Sequence, residues 1–162
     1  GFGVIATHDA NLTGLGALTV TRNERALWLD PDRVGELTEA LVVQNNAEQV
    51  IRVGYQSELL LTPVQRWLPF DEVPYHVTAD LDLRAAQLTL EAGVTLVMSE
   101  GGMITVDQEG ELIARGTTER PVTLTGASPR RGFWKGMRVK NLRDNALTHL
   151  IIEHAGGGAG QV

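Results

Sequence analysis

The chain has 162 residues, of which 43% are hydrophobic and 21% charged, enough for one domain with a sizeable core. Twenty acidic residues against 14 basic ones leave a formal net charge of -6, which speaks against non-specific nucleic-acid binding and against docking on anionic membranes. There is no cysteine, so neither a disulfide nor thiolate chemistry is available, and no apolar run approaches the ~20 residues that span a bilayer.

Helical periodicity is scarce from the first residues onward. The chain opens at Gly1 with no basic-then-apolar leader, and is expected to be processed or cut from something larger. Ala17-Leu18-Thr19-Val20 is the first clear alternating run, followed by Asn23 and then Leu27 and Leu29. The pattern returns as Ala40-Leu41-Val42-Val43, Asn45-Asn46, Ile51 and Val53, an offset of 23 to 24 residues that suits one winding of a solenoid. Asn23 and Asn46 then fall at equivalent corners. They are either plain turn residues or stacked amides hydrogen-bonding along the axis. Between the two windings, Asp30-Pro31-Asp32 with Val34, Leu37 and Leu41 predicts a short helix capped by Asp, or a bulged loop.

Residues 61–74 hold Pro63, Pro69, Pro74, Trp67 and Phe70. Proline rarely sits in a central strand, so this is read as a crossing segment that packs Trp67 against the body. Tyr75, Val77, Ala79, Leu81 and Leu83 then alternate with His76, Thr78, Asp80 and Asp82, one face buried and one wet. Further short alternations follow at Leu88-Thr89-Leu90, Val94-Thr95-Leu96, Ile104-Thr105-Val106, Val122-Thr123-Leu124 and Leu150-Ile151-Ile152. This register places Leu96 and Leu124 inside. Gly93, Gly116 and Gly136 are the expected corners, and Trp134, between Gly132 and Gly136, is expected to lie over a flattened bend. No Asn-Gly or Asp-Gly pair joins two runs as a hairpin would, and the connections are too short for helical crossovers. Pairing each strand with the strand one coil away resolves both facts.

The ordered pieces VPYHV (73–77), LTLEAGVTL (88–96), GELIARGT (110–117), RPVTLTGA (120–127), GFWKGMRV (132–139) and NALTHLIIEHAGG (145–157) resemble a group of bacterial secreted or surface-anchored right-handed parallel β-helix repeat proteins. The resemblance implies an all-β, right-handed parallel β-helix of about seven coils, one segment over residues 1–162. It also implies an extracellular or bacterial cell-surface location. Joining Val162 to Gly1 gives HAGGGAGQV-GFGVIATHDANL, which reads as uninterrupted β-helix. The chain is therefore expected to be one unit of a tandem-repeat protein or filament whose partner is itself, stacked end to end.

Right-handed β-helices also include polysaccharide lyases and hydrolases, whose chemistry needs clustered carboxylates. Inverting hydrolysis uses two, roughly 6.5–9.5 Å apart. No such constellation is evident, so no catalytic residue is assigned. Arg138-Val139-Lys140 and Trp134 are the candidate glycan contacts, for an extracellular polysaccharide partner. Asp80 and Asp82 share a strand face and are the candidate calcium ligands, with a neighbour such as Glu91; no other cofactor is implied. His149 and His154 fall on opposite faces, unsuited to a shared metal. His8 with Asp9 is a possible base and orienter without a nucleophile nearby. GGMITV and AGGGAG lack the lysine and helix of a phosphate loop. Thr19/Thr21 and Thr123/Thr125 would suit an ice-binding face only if they recurred in every coil. The leading expectation is a non-enzymatic structural or adhesive rod. The alternative is a carbohydrate-active β-helix, either a lyase or hydrolase fragment or a glycan-binding module.

Overall fold

A computed structural model describes residues 1–10, 17–55, 59–60, 63–140 and 143–158. The strands are short because each alternating run is interrupted within a few residues by a corner. In chain order they are β1 (Phe2–Ala6), β2 (Thr19–Thr21), β3 (Arg25–Leu29), β4 (Val42–Gln44), β5 (Glu48–Val53), β6 (Leu59–Leu60), β7 (Val64–Trp67), β8 (Tyr75–Val77) and β9 (Leu81–Leu83). They continue as β10 (Gln87–Glu91), β11 (Thr95–Met98), β12 (Met103–Val106), β13 (Glu111–Arg115), β14 (Val122–Gly126), β15 (Gly136–Val139), β16 (Ala146–Thr148) and β17 (Leu150–Ile152). One helical turn, α1 (Pro31–Val34), follows β3.

All pairings among these strands are parallel, and each strand pairs with the strand one coil away. Sheet 1 runs β1-β3-β5-β8-β11-β14-β17, sheet 2 runs β6-β9-β12-β15, and sheet 3 runs β7-β10-β13-β16. A short sheet 4, β2-β4, precedes sheet 1 in the early coils. The chain is thus an all-β parallel solenoid. Seven strands in sheet 1 enclose about six turns, close to the expected seven.

The core is built as columns along the axis. Leu27, Ile51, Tyr75, Leu96 and Leu124 are successive register partners, and all are essentially fully buried. Leu29, Val53, Val77 and Met98 form a second buried column on the same sheet. Leu81, Leu83, Ile104 and Val106 face them from sheet 2, and Trp67, Leu88, Leu90, Leu112 and Ala114 from sheet 3. Alternation of period two within each strand, repeated at the coil spacing, is what points these side chains inward together.

The 23-to-24-residue repeat corresponds to real pairing: Thr19 partners Val42, Val20 partners Val43, Leu27 partners Ile51 and Leu29 partners Val53. At the corners the left-handed residues are Arg22 (φ 62°) and Asn45 (φ 55°), each one place before the asparagine expected there. Asn23 and Asn46 instead carry the amide stack. Asn46 Oδ1 accepts from the Asn23 backbone N–H at 2.9 Å and from Asn23 Nδ2 at 3.1 Å. Asn46 Nδ2 in turn donates to the Val20 carbonyl at 2.9 Å and Gln49 Oε1 at 3.1 Å.

Two further expectations need correction. The segment read as crossing contains a strand, β7, which pairs with β10 and sets Trp67 in the core. Pro63 and Pro69 flank that strand rather than interrupt it, where a missing N–H costs no ladder bond. Only residues 68–74 cross, with Tyr75 donating its hydroxyl to the Leu68 carbonyl at 2.7 Å. The helix forms, but Asp30 makes no side-chain cap. Its buried carboxylate accepts the His8 N–H at 2.7 Å and the Tyr55 N–H at 2.9 Å, tying three successive coils. Residues 61–62 and the AGQV run at 159–162, expected to join Gly1, lie outside the described residues.

Candidate functional site

The outer face of sheet 2 gathers three of the singled-out residues. Asp82 of β9, Thr105 of β12 and Arg138 of β15 are register partners on neighbouring rungs, so they form one outward row. With Asp80, Arg84 and Asp107 they line a shallow groove of about 380 Å³. The carboxylates there already have work. Asp80 Oδ1 accepts the Met103 N–H at 2.9 Å, and Asp82 Oδ2 takes Arg84 at 2.8 Å from Nε and 2.7 Å from Nη2. That contact raises the Arg84 guanidinium above its usual pKa. The second oxygen of Asp82, Oδ1, is buried without a hydrogen-bond partner.

Calcium normally takes six to eight oxygen ligands, roughly. Glu91, expected to join Asp80 and Asp82, lies instead on β10 in sheet 3, where it pairs with Arg66 at 2.7 Å. Among the described residues no group of three or more His, Asp or Glu side chains converges to hold a metal ion.

The three candidate glycan contacts are not brought together. Trp134 is wholly buried and donates its indole N–H to the Glu153 carbonyl at 2.7 Å, so its ring is closed to a sugar. The glycines on either side of it, Gly132 and Gly136, hold left-handed backbone at φ 71° and 97°. Arg138 faces out into the groove, whereas Lys140 follows the strand and does not line it.

The corners have distinct causes. Gly93 and Gly136 hold the left-handed backbone, at φ 92° and 97°. Gly116 does not; a Cβ there would meet the His149 carbonyl oxygen at 2.3 Å, so it is a close approach between coils that demands glycine. His149 (φ 45°) forms the corner between β16 and β17, while His154 Nδ1 lies 2.8 Å from Thr125 Oγ1. His8 is not oriented by Asp9. Its Nδ1 lies 2.9 Å from Oδ2 of Asp32, a buried residue of the neighbouring coil. The threonines form no array, because the row through Thr95 and Thr123 continues with Ile151.

Two surfaces escaped the sequence reading. A cleft of about 480 Å³ lies between the 68–74 crossing and the corners at Gly93 and Arg120, with Phe70, Glu72, Thr95 and Arg120 in its walls. Glu72 is held there in the left-handed region, at φ 57°. The second is an aromatic and charged cluster on the outer face of sheet 1, around Trp28. Its signal was present in the repeat: Trp28, Arg52 and His76 follow one another at the coil offset, and become neighbours once that offset is applied down a column.

The fold therefore defines the class as a parallel β-solenoid. Comparison with protein-family models, with curated proteins and with solved structures gave no match for this chain.

Proposed function

We propose that this chain is a non-enzymatic structural or adhesive rod, one unit of a longer tandem array or filament, displayed outside a bacterial cell or on its surface. The observation that carries this reading is the cross-section of the last coil. Val139, Leu147 and Ile152 face inward by register, yet they are 43%, 44% and 46% exposed. Their partners one coil further in, Val106, Ala114 and Leu124, are at 0%, 1% and 0%. Among the described residues β15, β16 and β17 pair with no further coil, and their inward side chains form an apolar patch that another coil would bury. The occupant in this reading is the β1 side of a second unit, where β1 would extend the sheet 1 ladder beyond β17.

Electron microscopy of the chain, alone and in native material, tests the reading. Filaments whose axial repeat equals one unit, at ~4.8 Å per coil, are the expected result. Dispersed single units at every concentration, together with native material free of fibres, would overturn it.

The second reading is a carbohydrate-active β-helix, supported by the sheet 2 groove that sets Asp80, Asp82 and Arg138 side by side. Binding without cleavage in that groove would make it a glycan module; release of reducing ends from a polysaccharide would make it an enzyme.

A further inference from the structure

The N-terminal half of the outer face of sheet 1 carries side chains that neither the strands nor the core require. Register places Ile5, Trp28, Arg52, His76 and Val97 in one outward column, one residue per coil. The Trp28 ring lies 5.0 Å from Phe2 and 4.8 Å from Tyr55, the latter edge-on at 82°. Arg25 sits over the Phe2 ring at 5.3 Å and Arg52 over the Trp28 ring at 6.0 Å. One carboxylate serves both cations. Glu48 Oε1 accepts from Arg25 Nε at 3.1 Å, and Oε2 from Arg52 Nη2 at 2.7 Å. The Arg52 contact, then Arg25, holds the Glu48 carboxyl below its usual pKa. Further along the column, His76 Nε2 lies 3.1 Å from Ser99 Oγ.

Three physical properties of this surface converge on one ligand chemistry. Tyr55 and Ile5 are 37% and 47% exposed, so part of the aromatic cluster faces solvent and can cover the apolar C–H face of a sugar ring. The guanidiniums are held in place by rings and by Glu48, so their planar donors are pre-organised for hydroxyl and carboxylate oxygens. The column also steps by ~4.8 Å per coil, close to the length of a sugar unit in an extended polymer. Successive units lying along the axis would meet Trp28, Arg52 and His76 in turn.

We propose that the outer face of sheet 1 around Trp28 binds an acidic polysaccharide, with a uronate ring packed against the Trp28–Tyr55 pair and its carboxylate held by Arg25 and Arg52. This goes beyond the rod reading and does not depend on it, since the cluster lies on the outward face of sheet 1 and not among the inward side chains that the rod reading uses.

The test is native electrophoresis of the dispersed chain in gels containing polygalacturonate, alginate or hyaluronan, with neutral dextran as the comparison. Acrylamide quenching of tryptophan fluorescence runs beside it. Trp67 and Trp134 are wholly buried, so quenching reports on Trp28. At least one acidic polymer should retard the chain and shield Trp28, and dextran should do neither. Tyr55→Ala and Arg52→Gln should each weaken retardation by about tenfold or more, while Arg143→Gln, whose exposed side chain pairs with Glu109, leaves it unchanged. Tyr55 is exposed, so its replacement reports on binding even if Trp28→Ala fails to fold. No retardation by any acidic polymer, retardation by dextran alone, or unchanged binding in both Tyr55→Ala and Arg52→Gln would overturn the proposal. Retardation lost in Arg143→Gln instead would move the site away from Trp28 and overturn it as well.

Discussion

Leu124 and Ile152 occupy the same column one coil apart, and the difference between them tests the open end directly. Leu124 is fully buried, with Leu96 on one side and Ile152 on the other. Leu124→Ala removes about three carbon groups at ~0.8 kcal/mol each, or roughly 2–2.5 kcal/mol of transfer free energy. Coils above and below hold the site open, so a cavity term adds to this and the total should reach ~3–4 kcal/mol. Ile152 is 46% exposed. Ile152→Ala therefore forfeits about half as much transfer energy and seals no cavity, so it should cost only ~1–1.5 kcal/mol in the dispersed chain. Urea unfolding followed by far-ultraviolet circular dichroism measures both. Equal costs in dispersed chains would show that the last coil is already covered, and would refute the argument for an apolar end. In filaments the Ile152→Ala cost should rise towards the Leu124→Ala value, because another coil would bury the site.

The remaining expectations concern the tie points between coils. Asp30→Ala should cost ~3 kcal/mol or more, since it strands the His8 and Tyr55 amides that share its buried carboxylate, each charge-assisted bond contributing roughly 1.5–3 kcal/mol; a loss below 1 kcal/mol in denaturant titration would show that water replaces it freely. Asn46→Leu should destabilise by ~2 kcal/mol, leaving the buried Val20 carbonyl and the Asn23 N–H unpaired, and hydrogen exchange at Asn23 should speed up measurably. His76 is pushed below its ordinary value near 6.5, chiefly by burial and then by Arg52, with Glu48 opposing. A depressed folded-state pKa means that the unfolded chain binds the proton first, so this stability is present above about pH 6.5 and is lost as pH falls through the folded value. His76→Gln should flatten the melting-temperature slope below pH 6.5; an unchanged slope would mean His76 does not contribute. Leu96→Asp should abolish the folded state, as an unpaired charge in a sealed column, and a normal melt would overturn the inward register.

The path from residues to fold was short here because a solenoid repeats its local code. Thr19/Val42, Leu27/Ile51 and Leu29/Val53 were legible as pairs because identical spacing in the chain becomes adjacency along the axis. Where the spacing changes, that legibility fails. Sheet 2 spans 33 residues between Met103 and Gly136, against 23 between Leu81 and Ile104, and the longer loop carries Trp134 inward where the local pattern suggested an outer bend. β7 was hidden by flanking prolines whose missing N–H groups only the tertiary pairing shows to be harmless.

The candidate surfaces were less legible than the core. Asp80 and Asp82 could be placed together because they are two apart on one strand, but Arg138 joined them only through pairing across two rungs. Glu91 was assigned the wrong neighbours because proximity in sequence says nothing about which sheet a strand enters. The Asp30 carboxylate resembled a helix cap locally, yet the fold gave it backbone donors from two other coils.

From the sequence alone came the all-β class, the coil length and the inward register of Leu96 and Leu124. These depend on periodicity, which is a property of the chain taken a few residues at a time. Only the tertiary structure decided which outward side chains share a face and that Trp134 is sealed while Trp28 is not. Those depend on the lateral register of strands more than twenty residues apart, and that register is set by the packing of whole coils on one another.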